Sequence, residues 1–378
     1  MKKPVIGILV YRNGLSFSEP TYFRDIARAG ERLGSTAFLF SPQDIDVKNR
    51  IVTGFTPTST NGWKRQTYSW PEVVIDRYRR SGQDYMKIRT SSLFLYANNR
   101  FTNKWNITQM FLLEDRLKQW MPETVEYSKE QLRLMLKRHP LLYVKPGNGT
   151  GGSSIVRIES TRDGYAVLGR SRKLTKSSVR FKTISELAHW LDQWTVQERI
   201  REGNFMIQQG LDLELVQGRV TDTRLLIQKN EAGAWNVTGM GMRVGAPNSS
   251  TSNLHGGGSA VSFMEIAAKQ FGQEKAESIR RECEQLAFEV VQVIEERFGS
   301  MMEFGLDIGI DVEGRVWLIE VNPKPGRDIF KGMGNQELYR KSVERPIQYA
   351  MYVAANKRRF AQRAGTSGLR RAFITNRT

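Results

Sequence analysis

Trp317-Leu318-Ile319-Glu320-Val321-Asn322-Pro323 is the most informative stretch of this 378-residue chain. It reads as a buried strand that stops at a proline. Glu320 and Asn322 are two apart, so they share one face of that strand. An apolar run from Met302 to Asp311, joined to it by a turn at Glu313-Gly314, reads as the neighbouring strand and can bring Asp307 alongside; Asp311 closes the run. Two carboxylates and an amide oxygen on one face suit a hard divalent cation shared with a nucleotide's phosphates. The plainer alternative is carboxylates that face solvent. Phe304, Trp317, Leu318 and Ile319 argue against it, because acids among such residues are costly without a cation.

Upstream, a strand from Leu141 to Val144 delivers Lys145 into Pro146-Gly147-Asn148-Gly149-Thr150-Gly151-Gly152-Ser153-Ser154. Glycines let backbone N–H groups approach phosphate oxygens, and a lysine adds a point charge. No Gly-Lys-Ser/Thr closes the loop, so it is not a P-loop. A hairpin needing unusual dihedrals is the plainer reading. A third signal is Asp222-Thr223-Arg224 on one strand with Arg243 on the next, since an arginine fork suits phosphate or carboxylate. Asn253, His255 and Gly256-Gly257-Gly258 follow on a polar loop. His255 is one of three histidines, and we read it as a hydrogen-bonding group rather than a general base.

Working outward, the order of elements divides the chain. Val5 to Val10, Thr36 to Phe40 and Val73 to Ile75 read as strands. A helix starts at Ser18-Glu19-Pro20, and a polar helix runs to about Asn98. Alternating strands and helices predict an open α/β unit over residues 1–100. Residues 101–330 read as α+β. Helices are expected over Lys104–Gln119, Ser128–Arg138, Ser185–Trp194 and Gln273–Phe298. Strands are expected at Ile155–Ile158, Tyr165–Leu168, Phe205–Gln208, Val220–Gln228 and Trp235–Arg243. Residues 331–378 read as a helix and a basic tail.

Composition sets outer bounds. Hydrophobic residues are 39% and charged residues 25%, a globular balance that excludes global disorder. A single cysteine, Cys283, excludes a disulfide framework and reads as a small buried hydrophobe. No apolar run approaches the ~20 residues of a membrane span, and the N-terminal run is too short for a signal peptide. These features predict a cytoplasmic protein. The formal net charge of +18 favours anionic partners.

Taken in order, these motifs resemble the ATP-grasp superfamily. That resemblance implies Lys104 and Lys145 as phosphate-binding lysines, with the lid containing Gly149, Gly151, Gly152 and Ser153. It implies a hinge, Ile207-Gln208-Gln209-Gly210-Leu211, whose Gln209 and Leu211 backbones meet adenine, and Asp212 or Glu214 near the ribose. It implies Asp307, Glu320 and Asn322 as ligands to Mg2+, with Mn2+ as an alternative. Thirteen positions separate Asp307 from Glu320, a spacing similar to that of D-alanine–D-alanine ligases. Asp222, Arg224, Arg243 and Asn253 resemble catalytic positions of ribosomal-protein glutamate ligases and glutathione synthetases. Phe101-Thr102-Asn103-Lys104-Trp105, Pro122-Glu123-Thr124, Tyr143-Val144-Lys145-Pro146 and Trp317 to Gly326 resemble the YheC/YheD proteins of spore-forming bacteria, described as endospore coat-associated.

The resemblance therefore implies an α/β N-terminal domain followed by an α+β two-lobed ATP-grasp fold. The reaction implied is ATP-dependent ligation of a carboxylate to an amine or related nucleophile through an acyl phosphate. It also admits a spore association. A coat-structural protein without turnover and a basic nucleic-acid binder are the alternatives, and no recognition module supports the second. The expected substrate is an anionic small molecule or peptide. Lys324 and Arg327 follow the metal motif on a proline-stiffened segment. Arg327 is the expected substrate clamp, unless these cations are solvated or pair with Asp328 and Glu337. The acyl donor and acceptor are not legible.

Overall fold

The structure, a computed structural model, describes residues 3–80, 82–147, 153–173, 175–198, 204–247 and 257–360. The first strand is β1 (Val5–Leu9), apolar and buried at all five residues. After a small hairpin of β2 (Arg12–Asn13) and β3 (Ser16–Phe17) comes α1 (Pro20–Arg32), with proline at its first helical position as helix starts favour. β4 (Thr36–Phe40) pairs with β1 in parallel. β5 (Ile45–Asp46), β6 (Ile51–Pro57) and β7 (Trp63–Ser69) add an antiparallel extension. Sequence reading passes over these three. In β7 residues 64–67 are all exposed, so the apolar alternation that marks a strand is absent. β8 (Val73–Asp76) completes the parallel core beside β1. The polar helix expected to Asn98 is only α2 (Gln83–Thr90). Residues 94–97 are extended instead, exchange hydrogen bonds with Val74, and stack Phe94 on Trp70 at 4.5 Å.

The next lobe starts with α3 (Lys104–Leu112), capped by the Asn103 side chain, which accepts from the Asn106 N–H. The helix expected to Gln119 stops here; turns follow, and Trp120 is pinned by its indole N–H donating to Glu282 at 2.9 Å. β9 (Thr124–Glu126) and α4 (Lys129–Arg138), capped by Ser128, precede β10 (Leu141–Pro146), β11 (Ile155–Thr161), β12 (Gly164–Arg170) and β13 (Lys176–Phe181). α5 (Ile184–Gln197) opens with a Thr183/Glu186 capping box, and β14 (Phe205–Gln209) returns beside β10. The sheet is antiparallel in the order β13-β12-β11-β10-β14-β9.

The opposing lobe holds β15 (Thr221–Lys229), β16 (Trp235–Val244), β17 (Ser259–Ser262), α6 (Phe263–Phe271), α7 (Gln273–Phe298), β18 (Glu303–Ile310) and β19 (Val316–Asn322). Its antiparallel order is β17-β16-β15-β18-β19. The buried stripe of α7 covers this sheet, and Cys283 sits in it, fully buried, its thiol pKa pushed up by burial. Asp311 accepts from the Glu313 and Arg315 N–H groups and from the Trp317 indole, so it closes the β18–β19 turn. Two further helices follow, α8 (Asp328–Gly332) and α9 (Gln336–Ala355). One apolar cluster joins Ile6, Ile8 and Ile75 to Ile347, Tyr349 and Val353 of α9. The segment from 331 onward, read from sequence as a separate region, thus shares its core with the first unit. Among the described residues no helix is long and apolar enough to cross a membrane.

Candidate active site

Between the two antiparallel sheets, and closed at one end by the first unit, lies a cavity of about 730 Å³. Strand register assembles its charged wall. Asp307 stands opposite both Arg224 and Glu320, Asp222 opposite Arg243, and Gly305 opposite Asn322. Gly305 is required by close approach: a Cβ there would lie 2.7 Å from Pro325 Cβ. Lys145, Met206, Gln208, Ser153 and Ile155 line the other wall, with Lys104 from the start of α3.

The charges in this wall are already matched. Arg224 Nε donates to Asp307 Oδ1 at 2.6 Å, and Arg243 Nη2 lies 3.1 Å from the same oxygen. Arg243 also forks onto Asp222, with Nε donating at 2.6 Å and Nη2 donating to the second oxygen. Burial alone would raise the Asp307 pKa, but Arg224 and Arg243 outweigh it and hold the carboxyl well below its usual range. Lys104 Nζ sits 2.8 Å from Glu320 Oε1. Asn322 Nδ2 lies 3.4 Å from Asp307 Oδ2. The sequence argument that acids here need a metal cation is thereby corrected: lysine and arginines of the same site neutralise them.

Lys145 Nζ donates to Gln208 Oε1 at 2.7 Å, and Gln208 is anchored in turn on Thr124 Oγ1 at 2.9 Å. Burial pushes the Lys145 pKa down to about 8, with Lys104 adding to the effect and Glu320 and Asp307 opposing it. At the hinge, Gln209 and Leu211 line the cavity. The Gln209 N–H donates to the Glu123 carbonyl at 2.8 Å, while the Glu123 N–H goes to the Gln209 side chain at 3.2 Å. A side-chain amide therefore takes the position that a main-chain carbonyl holds in a regular ladder.

Several expectations shift. Asp212 and Glu214 are not among the cavity-lining residues; Asp212 Oδ1 instead accepts from the Glu214 N–H at 3.3 Å. Lys324 lines the cavity, but its Nζ is 2.8 Å from Asp76 Oδ1 and 2.6 Å from the Tyr78 carbonyl. The expected clamp, Arg327, is 3% exposed, and its fork is occupied by Glu303 and the Pro325 carbonyl. It pairs with neither Asp328 nor Glu337, because Glu303 at the start of β18 lies directly beneath it. Gly149, Gly151, Gly152, Asn253 and His255 lie outside the described residues. Sequence reading missed the end wall: Ser18 to Tyr22, Arg79, Lys331 and Tyr339. Ser18-Glu19-Pro20 was the available signal, since a helix start presents unpaired N–H groups. Fully buried Arg77 ties that wall to the charged strands. It donates to Glu303 at 3.0 Å and the Pro325 carbonyl at 3.1 Å, and lies 3.3 Å from Glu19.

Asp307, Glu320 and Asn322 present hard oxygen donors on adjacent strands, the chemistry Mg2+ prefers. Among the described residues no three His, Cys, Asp or Glu side chains gather into a metal site, so the Asn322 amide would be the third donor.

This architecture is the ATP-grasp fold. It matches D-alanine–D-alanine ligase from Coxiella burnetii (TM-score 0.53, 12% identity, 96% of this chain and 100% of that one). It also matches the D-cycloserine synthetase DcsG (TM-score 0.55, 11% identity, 93% and 99%). Residues 94–353 match the YheC/D like ATP-grasp family, to which the chain belongs. Endospore coat-associated protein YheD of Bacillus subtilis (strain 168) is 27% identical over 366 residues, covering 93% of this chain and 79% of that protein. YheC of the same organism is 23% identical over 319 residues, covering 82% and 86%.

Proposed function

We propose that the protein is an ATP-dependent ligase that activates a carboxylate as an acyl phosphate and passes it to an amine or related nucleophile. One observation carries this reading: four cations, Lys104, Lys145, Arg224 and Arg243, line a single cavity together with the oxygen donors Asp307, Glu320 and Asn322. Bound Mg2+ would neutralise phosphate charge there. Lys104 and Lys145 would hold the phosphates, and Gln209 and Leu211 the adenine edge. Arg224 and Arg243 would stabilise charge on the transferring phosphoryl group, so positioning and electrostatics supply most of the rate. No side-chain nucleophile is needed. Buried Cys283 is not among the residues lining the cavity.

Partner exchange is built into this proposal. With a cation bound, Glu320 would hold it in place of Lys104, whose ammonium would then be available to phosphate. The test is ADP release with Mg2+ across pooled amino acids and short peptides, alongside direct nucleotide binding. Lys145→Ala should lower ATP affinity on the order of 10²-fold, the loss of a buried charge-assisted contact. Glu320→Ala and Asn322→Ala should fold normally and lose turnover. Parental ATP binding by Lys145→Ala, or parental turnover by either metal-site variant, sinks the reading. The relatives' names extend the proposal to a spore-coat association, checked by fractionating spores of the source organism with an antibody to this chain.

A further inference from the structure

We propose that the acid this ligase takes is an extended acidic chain, such as an oligoglutamate peptide, whose trailing residues lie in a basic groove between α1 and α9. The inference rests on the ligase reading for its first residue only. The active-site cavity does not end at the charged strands. It continues past the segment after β19 to Lys331 and Tyr339, which also line a second cavity of about 590 Å³. That cavity is bordered by Arg32 of α1, Lys331 of α8, Arg340 of α9 and one acid, Asp25.

The groove's cations are weakly committed. Arg32 meets Glu344 at 3.1 Å with 55% of its side chain exposed. Lys331 is 3.9 Å from Asp25, whose carboxylate already accepts the Tyr339 hydroxyl at 2.5 Å. Lys331 instead rests over the Tyr339 ring, 4.3 Å from its centroid. Arg340 is exposed and makes no ion pair among the described residues. Ion pairs this exposed contribute little, so a ligand carboxylate can take these cations at small loss. The buried cations beside the reacting centre are not available in this way, since Glu303 holds Arg327 and Asp76 holds Lys324. Recognition of further negative charge is therefore left to the groove. A chain advancing ~3.4 Å per residue can run from one cavity into the other past Lys331 and Tyr339, which line both.

The experiment measures anisotropy of fluorescein-labelled diglutamate and pentaglutamate with the full chain, with and without Mg2+ and a non-hydrolysable ATP analogue. Pentaglutamate should bind at least about tenfold tighter than diglutamate, and Arg32→Glu/Arg340→Glu should remove that advantage. Lys64→Glu/Arg65→Glu on β7, which lines neither cavity, changes net charge equally and should preserve it. Arg340→Gln, with no ion pair to lose, repeats the test if the double variant unfolds and should lose part of the preference. Equal binding of both lengths, or equal losses in groove and β7 variants, overturns the proposal. The anisotropy result stands whether or not ADP is released. Absence of ADP release with every acid would count against the ligase reading alone.

Discussion

Raising pH from 7 to 9 should weaken Mg-ATP binding about tenfold through one side chain, Lys145. Its ammonium lies in the cavity wall, and burial brings its pKa down to about 8. An unperturbed lysine, near 10.4, stays charged across this whole interval. With a pKa near 8, roughly ten in eleven molecules carry the cation at pH 7 and roughly one in eleven at pH 9. Nucleotide phosphate favours the charged form, so the apparent dissociation constant rises by the ratio of these fractions, ~10. The terminal phosphate titrates near 6, below the interval. The assay is calorimetric titration of Mg-ATP at pH 7, 8 and 9 at fixed ionic strength. Lys145→Arg, charged throughout, should bind with a flat profile whatever its absolute affinity. A flat parental profile, or the same tenfold rise in Lys145→Arg, refutes the reasoning.

The sign reverses for stability. The folded chain disfavours charged Lys145, a penalty fully present below pH ~8 and gone above the unfolded value near 10.4; Lys145→Met should therefore raise Tm at pH 7, with the gain shrinking by pH 10.5. Glu320→Gln releases Lys104 from its 2.8 Å partner. In EDTA it should bind ATP at least as well as the parent, while the improvement that Mg2+ gives the parent disappears; retained Mg2+ dependence would remove Glu320 from the metal set. Arg77→Met leaves Glu303, 2% exposed, with Arg327 as its remaining arginine, and breaking a buried pair this way should cost about 3 kcal/mol in urea denaturation. A loss below ~1 kcal/mol would mean that the network holds position without adding stability.

The charged strands were legible because their chemistry and their periodicity coincide. Glu320 and Asn322 flank buried Val321 on a strand of period two, and the register does place Asp307 opposite Glu320. The 26-residue helix from Gln273 to Phe298 was legible end to end, because glycines flank it and a continuous apolar stripe runs along it. Elements on open surfaces were not legible. β7 buries too little to show alternation, and α3 stops seven residues short of the expected Gln119 because Leu117 and Trp120 are buried from a turn. At the site, local sequence proposed the cations but not their partners. Arg327 is two residues from Pro325 and twenty-four from Glu303, and only the folded chain decides that Glu303 takes its fork. The end wall was missed for the same reason, since Arg79 reaches the Lys324 carbonyl across 245 residues of sequence and also pairs with Glu19.

α9 fills the core of the unit that opens the chain. During synthesis β1, α1, β4 and β8 leave the ribosome first, yet Ile6, Ile8 and Ile75 find Ile347, Tyr349 and Val353 only after about three hundred more residues have been made. Pairing over such sequence distances is slow, and the waiting apolar face is exposed to aggregation. The lobe between β9 and β14, whose core of Leu142, Val144, Leu187 and Ile207 is local, can close well before that. The chain should therefore mature from its middle outward, with its first strands among the last to be secured, and an expression fragment ending before α9 would lack the piece that finishes its own beginning.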